Sequence, residues 1–117
     1  MTNRPQQLEI WTIHLDPVVG HEQAKTRPCL IVSDNRFNRS NADLVIIMPL
    51  TSKNKRIPWH VAITPPEGNL TMPSFIMCEQ LRVVSVERIT GNAYGKIHKT
   101  TWDIVQTNIK LLFSLFV

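Results

Sequence analysis

The chain has 117 residues, 43% of them hydrophobic, and carries 13 Lys and Arg against 9 Asp and Glu for a formal charge of +4. That length suits one core and excludes two full domains, and the apolar share excludes a disordered chain. The mild basic excess favours an anionic partner without identifying it.

Short strand-like runs alternate with loops, and strands are expected over residues 8–14, 29–33, 44–49, 59–63, 74–84 and 94–98. Glu79-Gln80 interrupts the apolar run over 74–84, which predicts a bend or bulge there. Asp34 or Asn35 can cap one helical turn within 34–41, and Pro65-Pro66-Glu67-Gly68-Asn69 is turn chemistry. Ser85 to Arg88, followed by Gly91, predicts a short capped turn of helix. The long helix comes last, with Thr101 as cap and Asp103 in its first turn. Trp102, Val105, Ile109, Leu112 and Phe116 share the face expected to pack on the sheet. Ile104, Leu111 and Leu115 form a second stripe beside it. Many short strands and one terminal helix indicate an α+β fold, mainly β: a small, strongly bent sheet or barrel in a single domain over 1–117.

Cys29 and Cys78 each lie inside an apolar run, and no Cys/His cluster has metal-ligand spacing. Buried thiols, no metal and no cofactor are therefore expected, with a disulfide between the two cysteines left open. The polar stretch from Met1 to Gln7 lacks the apolar core of a signal peptide. No apolar segment approaches the length of a membrane span, so a cytoplasmic protein without membrane contact is expected.

Chemistry concentrates where a polar loop over 20–27 meets the strand beginning at Pro28. Proline has no ladder donor, so Pro28 is expected at the first residue of that strand or on an edge. It also holds Arg27 extended, which fixes an always-charged fork of donors at the end of a sheet, a good place to grip an anion. Thr51 follows the next apolar strand, where Pro49 suggests an edge or end, and with Ser52 it opens a basic loop. Its hydroxyl can donate to a phosphoryl oxygen but is a poor base. Lys53, Lys55 and Arg56 in that loop suit phosphate tracking, against the ordinary reading of a solvated charge run. Glu22 can read an exocyclic amino group or brace its loop. Gln23 and Gln80 are candidates for contact with a nucleic-acid strand, or equally for bulge and core amides. His21, His60 and His98 are chemically apt proton shuttles, with His60 the foremost because it follows the basic loop. Among the aromatics, Phe37, set amid Asn and Arg, is the best stacking candidate.

The ordered blocks Glu9-Ile10-Trp11, Leu15-Asp16-Pro17, Gly20-His21-Glu22-Gln23, Lys25-Thr26-Arg27-Pro28 and Ser33 to Asn38 resemble the MazF/PemK (Kid) toxins. Pro49-Leu50-Thr51-Ser52, His60-Val61 and Cys78-Glu79-Gln80-Leu81-Arg82 continue the resemblance over most of the chain. Leu8 departs from it, because the family usually has glycine before Glu-Ile-Trp. The resemblance implies an SH3-like, CcdB/PemK-type small barrel with a C-terminal helix. It also implies a sequence-selective, metal-independent endoribonuclease of a type II toxin–antitoxin system, with Arg27 and Thr51 catalytic. The substrate would be single-stranded mRNA, cut by 2′-hydroxyl attack to leave a cyclic phosphate. Implied partners are a second copy of the chain and an acidic antitoxin of the MazE/PemI kind, with DNA bound only weakly and only as a complex with that antitoxin. Two rivals share the fold: a topoisomerase poison of the CcdB kind, and a degenerate toxin that only binds its antitoxin.

Overall fold

Apolar residues run almost without interruption over 29–32 and 44–50, a pattern that suits strands buried on both faces. The computed structural model describes residues 4–16, 19–22 and 25–114, and it bears this out. Its strands are β1 (Glu9–His14), β2 (Thr26–Ile31), β3 (Leu44–Thr51), β4 (His60–Ile63), β5 (Ser74–Met77), β6 (Arg82–Ser85) and β7 (Ile89–Lys96). Helix α1 (Asn35–Asn38) follows β2, and α2 (Lys99–Leu112) follows β7. The sheet order is β4-β5-β3-β2-β1-β7, with β6 beside β3, and its ladders are antiparallel. The sheet is open: its path ends at β4 and β7.

Side-chain alternation along the three middle strands feeds two cores. Ile10, Leu30, Met48 and Leu50 join Val61, Ile63, Ile76 and Ile97 on one face, with Trp102, Val105, Ile109 and Leu112 of α2 packed over them. Trp11, Ile13, Cys29, Ile31, Val45 and Ile47 gather with Leu15 and Val84 on the other. The first helical stripe thus packs on the sheet, with Phe116 outside the described residues. Of the second stripe, Ile104 and Leu111 are exposed, and Leu115 lies outside the described residues.

Both prolines sit in interior strands, contrary to the expectation of edges or ends. Pro28 is the third residue of β2, between β1 and β3, but the β3 ladder begins only at Cys29↔Pro49. Pro49 lies where the other neighbour of β3 changes, from β6 at Leu44–Ile47 to β5 at Leu50 and Thr51. At each point the missing donor falls in a gap of the pairing. The run over 74–84 breaks as expected, into β5, a 3-10 turn at Cys78–Gln80, and β6. Asp34 caps α1, and Ser85 caps a 3-10 turn at Val86–Arg88, each side chain accepting from the backbone N–H two residues on. Gly91 does not end that turn: it lies inside β7, which starts at Ile89 rather than at 94.

Helix α2 begins at Lys99, two residues before the expected cap. Its N-cap is His98, whose backbone N–H donates to Glu67 Oε2 at 2.8 Å, while Thr101 is buried inside the helix. A carboxylate from a distant turn has taken the capping role that the local hydroxyl was expected to fill. Leu8 explains its own oddity. Its φ is 79°, a left-handed conformation that favours glycine, and it is held by Leu8 N–H to Ile31 O and Ile97 N–H to Leu8 O. Its side chain packs against the first core, which offsets a strain of about 1 to 3 kcal/mol.

Candidate functional site

Arg27 and Thr51 meet because of register. Extending the β2–β3 ladder two residues beyond Cys29↔Pro49 sets Arg27 opposite Thr51. Arg27 is half-buried, and its Nη1 donates to the Leu50 carbonyl at 3.1 Å, so the residue before Thr51 braces the guanidinium. Thr51 is 7% exposed. Its Oγ1 accepts from the Lys53 backbone N–H at 3.2 Å, leaving the hydroxyl proton for another acceptor. Both residues line a cavity of about 350 Å³ together with Ser52 and Lys53. A fixed guanidinium, a hydroxyl and an ammonium around one space suit an anion with several oxygens.

Part of the lining was not foreseen. Asn69, Met72, Ser74 and Tyr94 also line the cavity. The turn that carries Asn69 is seated directly on β7: a Cβ on Gly95 would lie 3.0 Å from the Gly68 carbonyl carbon. Gly68 has φ +65°, and a Cβ there would meet Ile10 Cδ1 at 2.6 Å. Asn69 Nδ2 then donates to the Tyr94 carbonyl at 2.8 Å. Gly95, a glycine inside a strand pattern, was the available signal, since it marks a close backbone approach.

The remaining predicted residues divide. Lys55 and Arg56 are exposed further along the basic loop and do not line the cavity. Glu22 is exposed, and its Oε1 accepts from the Val19 N–H at 2.6 Å, closing a turn of its own loop. Gln80 Nε2 donates to the His21 carbonyl at 3.4 Å, so Gln80 touches that loop rather than the cavity. Gln23 lies outside the described residues. Phe37 is half-buried on α1, away from the cavity lining, and Tyr94 is the aromatic that lines it.

His60 is not at the cavity. Its side chain is 4% exposed, and Nε2 lies 2.9 Å from Glu79 Oε2. Beside this pair, Asn108 of α2 donates to the Trp59 carbonyl at 3.2 Å and approaches Cys78 Sγ at 3.7 Å. His98 is exposed at the start of α2, its Nδ1 3.7 Å from Glu67 Oε1. The two cysteines are buried free thiols. Burial pushes Cys29 up to about 12, against the opposing influence of Arg27 and Arg82. Burial likewise pushes Cys78 up to about 11, with Asn108 acting the other way and Glu79 adding to the rise. Among the described residues, no group of three or more His, Cys, Asp or Glu is placed to hold a metal ion, and no helix is long and apolar enough to cross a membrane.

An open, bent antiparallel sheet with a C-terminal helix defines the structural class, and solved structures share it. The crystal structure of MazF from Deinococcus radiodurans superposes with a TM-score of 0.84 at 19% identity, covering 97% of this chain and 99% of that one. An endoribonuclease from a mycobacterial species, in complex with its cognate antitoxin, gives a TM-score of 0.71 at 21% identity over 97% and 96%. The family model for the PemK-like, MazF-like toxin of type II toxin–antitoxin systems matches residues 6–113, and the chain belongs to that family. It is 32% identical to the endoribonuclease PemK of Escherichia coli over 107 residues, 91% of this chain and 80% of that protein. It is 30% identical to the endoribonuclease EndoA of Bacillus subtilis over 83 residues, 70% of this chain and 72% of that protein.

Proposed function

We propose that the chain is a sequence-selective endoribonuclease toxin that cuts single-stranded RNA without a metal ion. The observation that carries this reading is the braced Arg27 guanidinium beside the Thr51 hydroxyl at one cavity. In the reaction, a ribose 2′-oxygen forms a bond to the adjacent phosphorus while the bond to the 5′-oxygen breaks. The 2′-oxygen loses its proton and the 5′-oxygen gains one, leaving a 2′,3′-cyclic phosphate and a 5′-hydroxyl. Charge grows on the non-bridging oxygens on the way, and Arg27 and Thr51 donate to them. One such preorganised donor stabilises a transition state by about 3 to 4 kcal/mol. Incubating the pure protein with a long transcript in excess EDTA and mapping the new ends tests the reading. Cuts at a recurrent motif, with 5′-hydroxyl ends, support it; cleavage that requires added magnesium overturns it.

We further infer a cytoplasmic homodimer that an acidic antitoxin holds in check. The formal charge of +4 suits an acidic segment, and the PemK/MazF relatives belong to toxin–antitoxin pairs. Ile104 and Leu111, seven residues apart on one face of α2, are 53% and 40% exposed, and two-fold pairing would cover such a face. Sedimentation at micromolar concentration gives twice 13.4 kDa if the dimer forms. A species of 13.4 kDa alone would exclude it.

A further inference from the structure

The cavity lining is of two unlike kinds. Arg27, Thr51 and Lys53 supply donors and charge, and Tyr94 and Met72 supply apolar surface. Met72 and Tyr94 are 54% and 38% exposed, so both present surface to solvent. The ring of Tyr94 is nevertheless held. Its hydroxyl lies 2.9 Å from Thr12 Oγ1, and its carbonyl accepts from Asn69. The Gly68–Gly95 contact fixes the turn on which Asn69 stands. A partly exposed aromatic ring, anchored at its hydroxyl, thus lines the same cavity as Arg27 and Lys53. At about 350 Å³ the cavity lies near the lower end of the range for small ligand sites, room for one nucleotide and not for several.

We propose that Tyr94, flanked by Met72 and Asn69, seats one nucleobase of the RNA strand by stacking, next to the phosphate held by Arg27 and Thr51. An aromatic platform beside a fixed cation is the combination that binds single strands, the ring taking the base and the cation the backbone. Asn69 uses Nδ2 on the Tyr94 carbonyl, so its Oδ1 remains as an acceptor for an N–H on the edge of the base. Tyr94 is therefore a base-seating residue for the reaction proposed above, and the inference rests on that reading.

The test uses a single-stranded RNA oligonucleotide carrying the mapped motif, with 2′-deoxyribose at the attacking position so that it binds without being cut. Its affinity is measured by fluorescence anisotropy for the unaltered protein, Tyr94→Ala and Tyr94→Phe, with each position of the oligonucleotide made abasic in turn. Tyr94→Ala is expected to bind about tenfold more weakly, and Tyr94→Phe, which keeps the ring, to recover most of that loss. At one position, removing the base should weaken the unaltered protein by a similar factor and Tyr94→Ala no further. Thermal melting of the variants checks that the fold is kept. Losses that add at every position, or a Tyr94→Ala affinity within about twofold of the original while RNA is still cut, overturn the base seat and leave the nuclease reading intact. An unaltered protein that cuts no transcript overturns both.

Discussion

Arg27–Thr51 and His60–Glu79 are two polar pairs on neighbouring parts of one sheet, with β5 between the strands that carry Thr51 and His60. The first opens on a cavity, and its guanidinium and hydroxyl have donors directed by backbone partners. The second is closed: His60 is 4% exposed in its side chain and bonded to Glu79. The neighbouring polar contacts from Asn108 come from α2, which packs over this region. By intrinsic chemistry the histidine is the better proton shuttle and the arginine the poorer one. The fold reverses that ranking, because a group acts on a substrate only where it borders a volume that the substrate can enter. Here the histidine serves packing, and the arginine faces the space.

The largest expected effects fall on the open pair. Arg27→Ala should lower the single-turnover cleavage rate at least about a hundredfold, the cost of a missing oxyanion donor. Thr51→Ala should lower it less, by about tenfold, since water can take the place of a hydroxyl more readily than that of a guanidinium braced on Leu50. Rapid-quench kinetics with saturating protein separates these losses from changes in binding. A smaller effect for Arg27→Ala than for Thr51→Ala would break the assignment of the main donor.

The closed pair should answer to stability. Removing the His60 imidazole leaves a Glu79 carboxylate that is 24% exposed in its side chain without its partner, which costs about 1 to 3 kcal/mol in urea unfolding. The cleavage rate per folded molecule should stay within about threefold of the original, because His60 lines no part of the cavity. A loss of rate equal to that of Arg27→Ala would make His60 a participant in the chemistry and erase the contrast.

What was legible in the sequence follows the same division. Strand content, the bend at Glu79-Gln80 and the sheet-facing stripe of α2 are periodicity, and periodicity is local. Arg27 and Thr51 were singled out because motif and strand ends placed them, and the ladder register then brought them together. The Tyr94 part of the lining escaped notice because it is made by a contact between residues far apart in sequence, Gly68 on Gly95, that no window contains. The start of α2 was misjudged for the same reason: the carboxylate of Glu67, a residue of that distant turn, accepts from the His98 N–H. The two interior prolines were misplaced because the gaps in pairing that admit them depend on where β5 and β6 change places along β3.

A smaller effect distinguishes residues of the basic loop. Lys53 lines the cavity, and Lys55 and Arg56 lie beyond it. Lys53→Ala should weaken RNA affinity by about three- to tenfold and reduce the slope of log affinity against log salt by about one. Lys55→Ala and Arg56→Ala should each change the slope by less, and none of the three should alter the cleaved motif. A shifted motif would mean that the loop reads bases.

The finest expected effect uses the two thiols as reporters, one beside each pair. Cys29 lies two residues from Arg27, and its thiol donates to the Arg27 carbonyl; Cys78 sits beside Asn108 in the closed region. Only the thiolate reacts with iodoacetamide, and burial holds Cys29 up to about 12 and Cys78 up to about 11. At pH 8 both should alkylate at least about a hundredfold more slowly than free cysteine, through transient opening. Because the folded thiols titrate above their unfolded value of 9.0, the protons they retain stabilise the fold below pH 9, and that contribution should decline as pH rises above it. His60→Ala loosens the region around Cys78 and leaves the β2–β3 ladder beneath Arg27 alone. Mass spectrometry of partly alkylated protein should therefore show Cys78 labelling about threefold to tenfold faster in that variant, with Cys29 unchanged. Equal acceleration of both thiols would mean that His60 supports the whole sheet, and that the open and closed pairs are not separate units of stability.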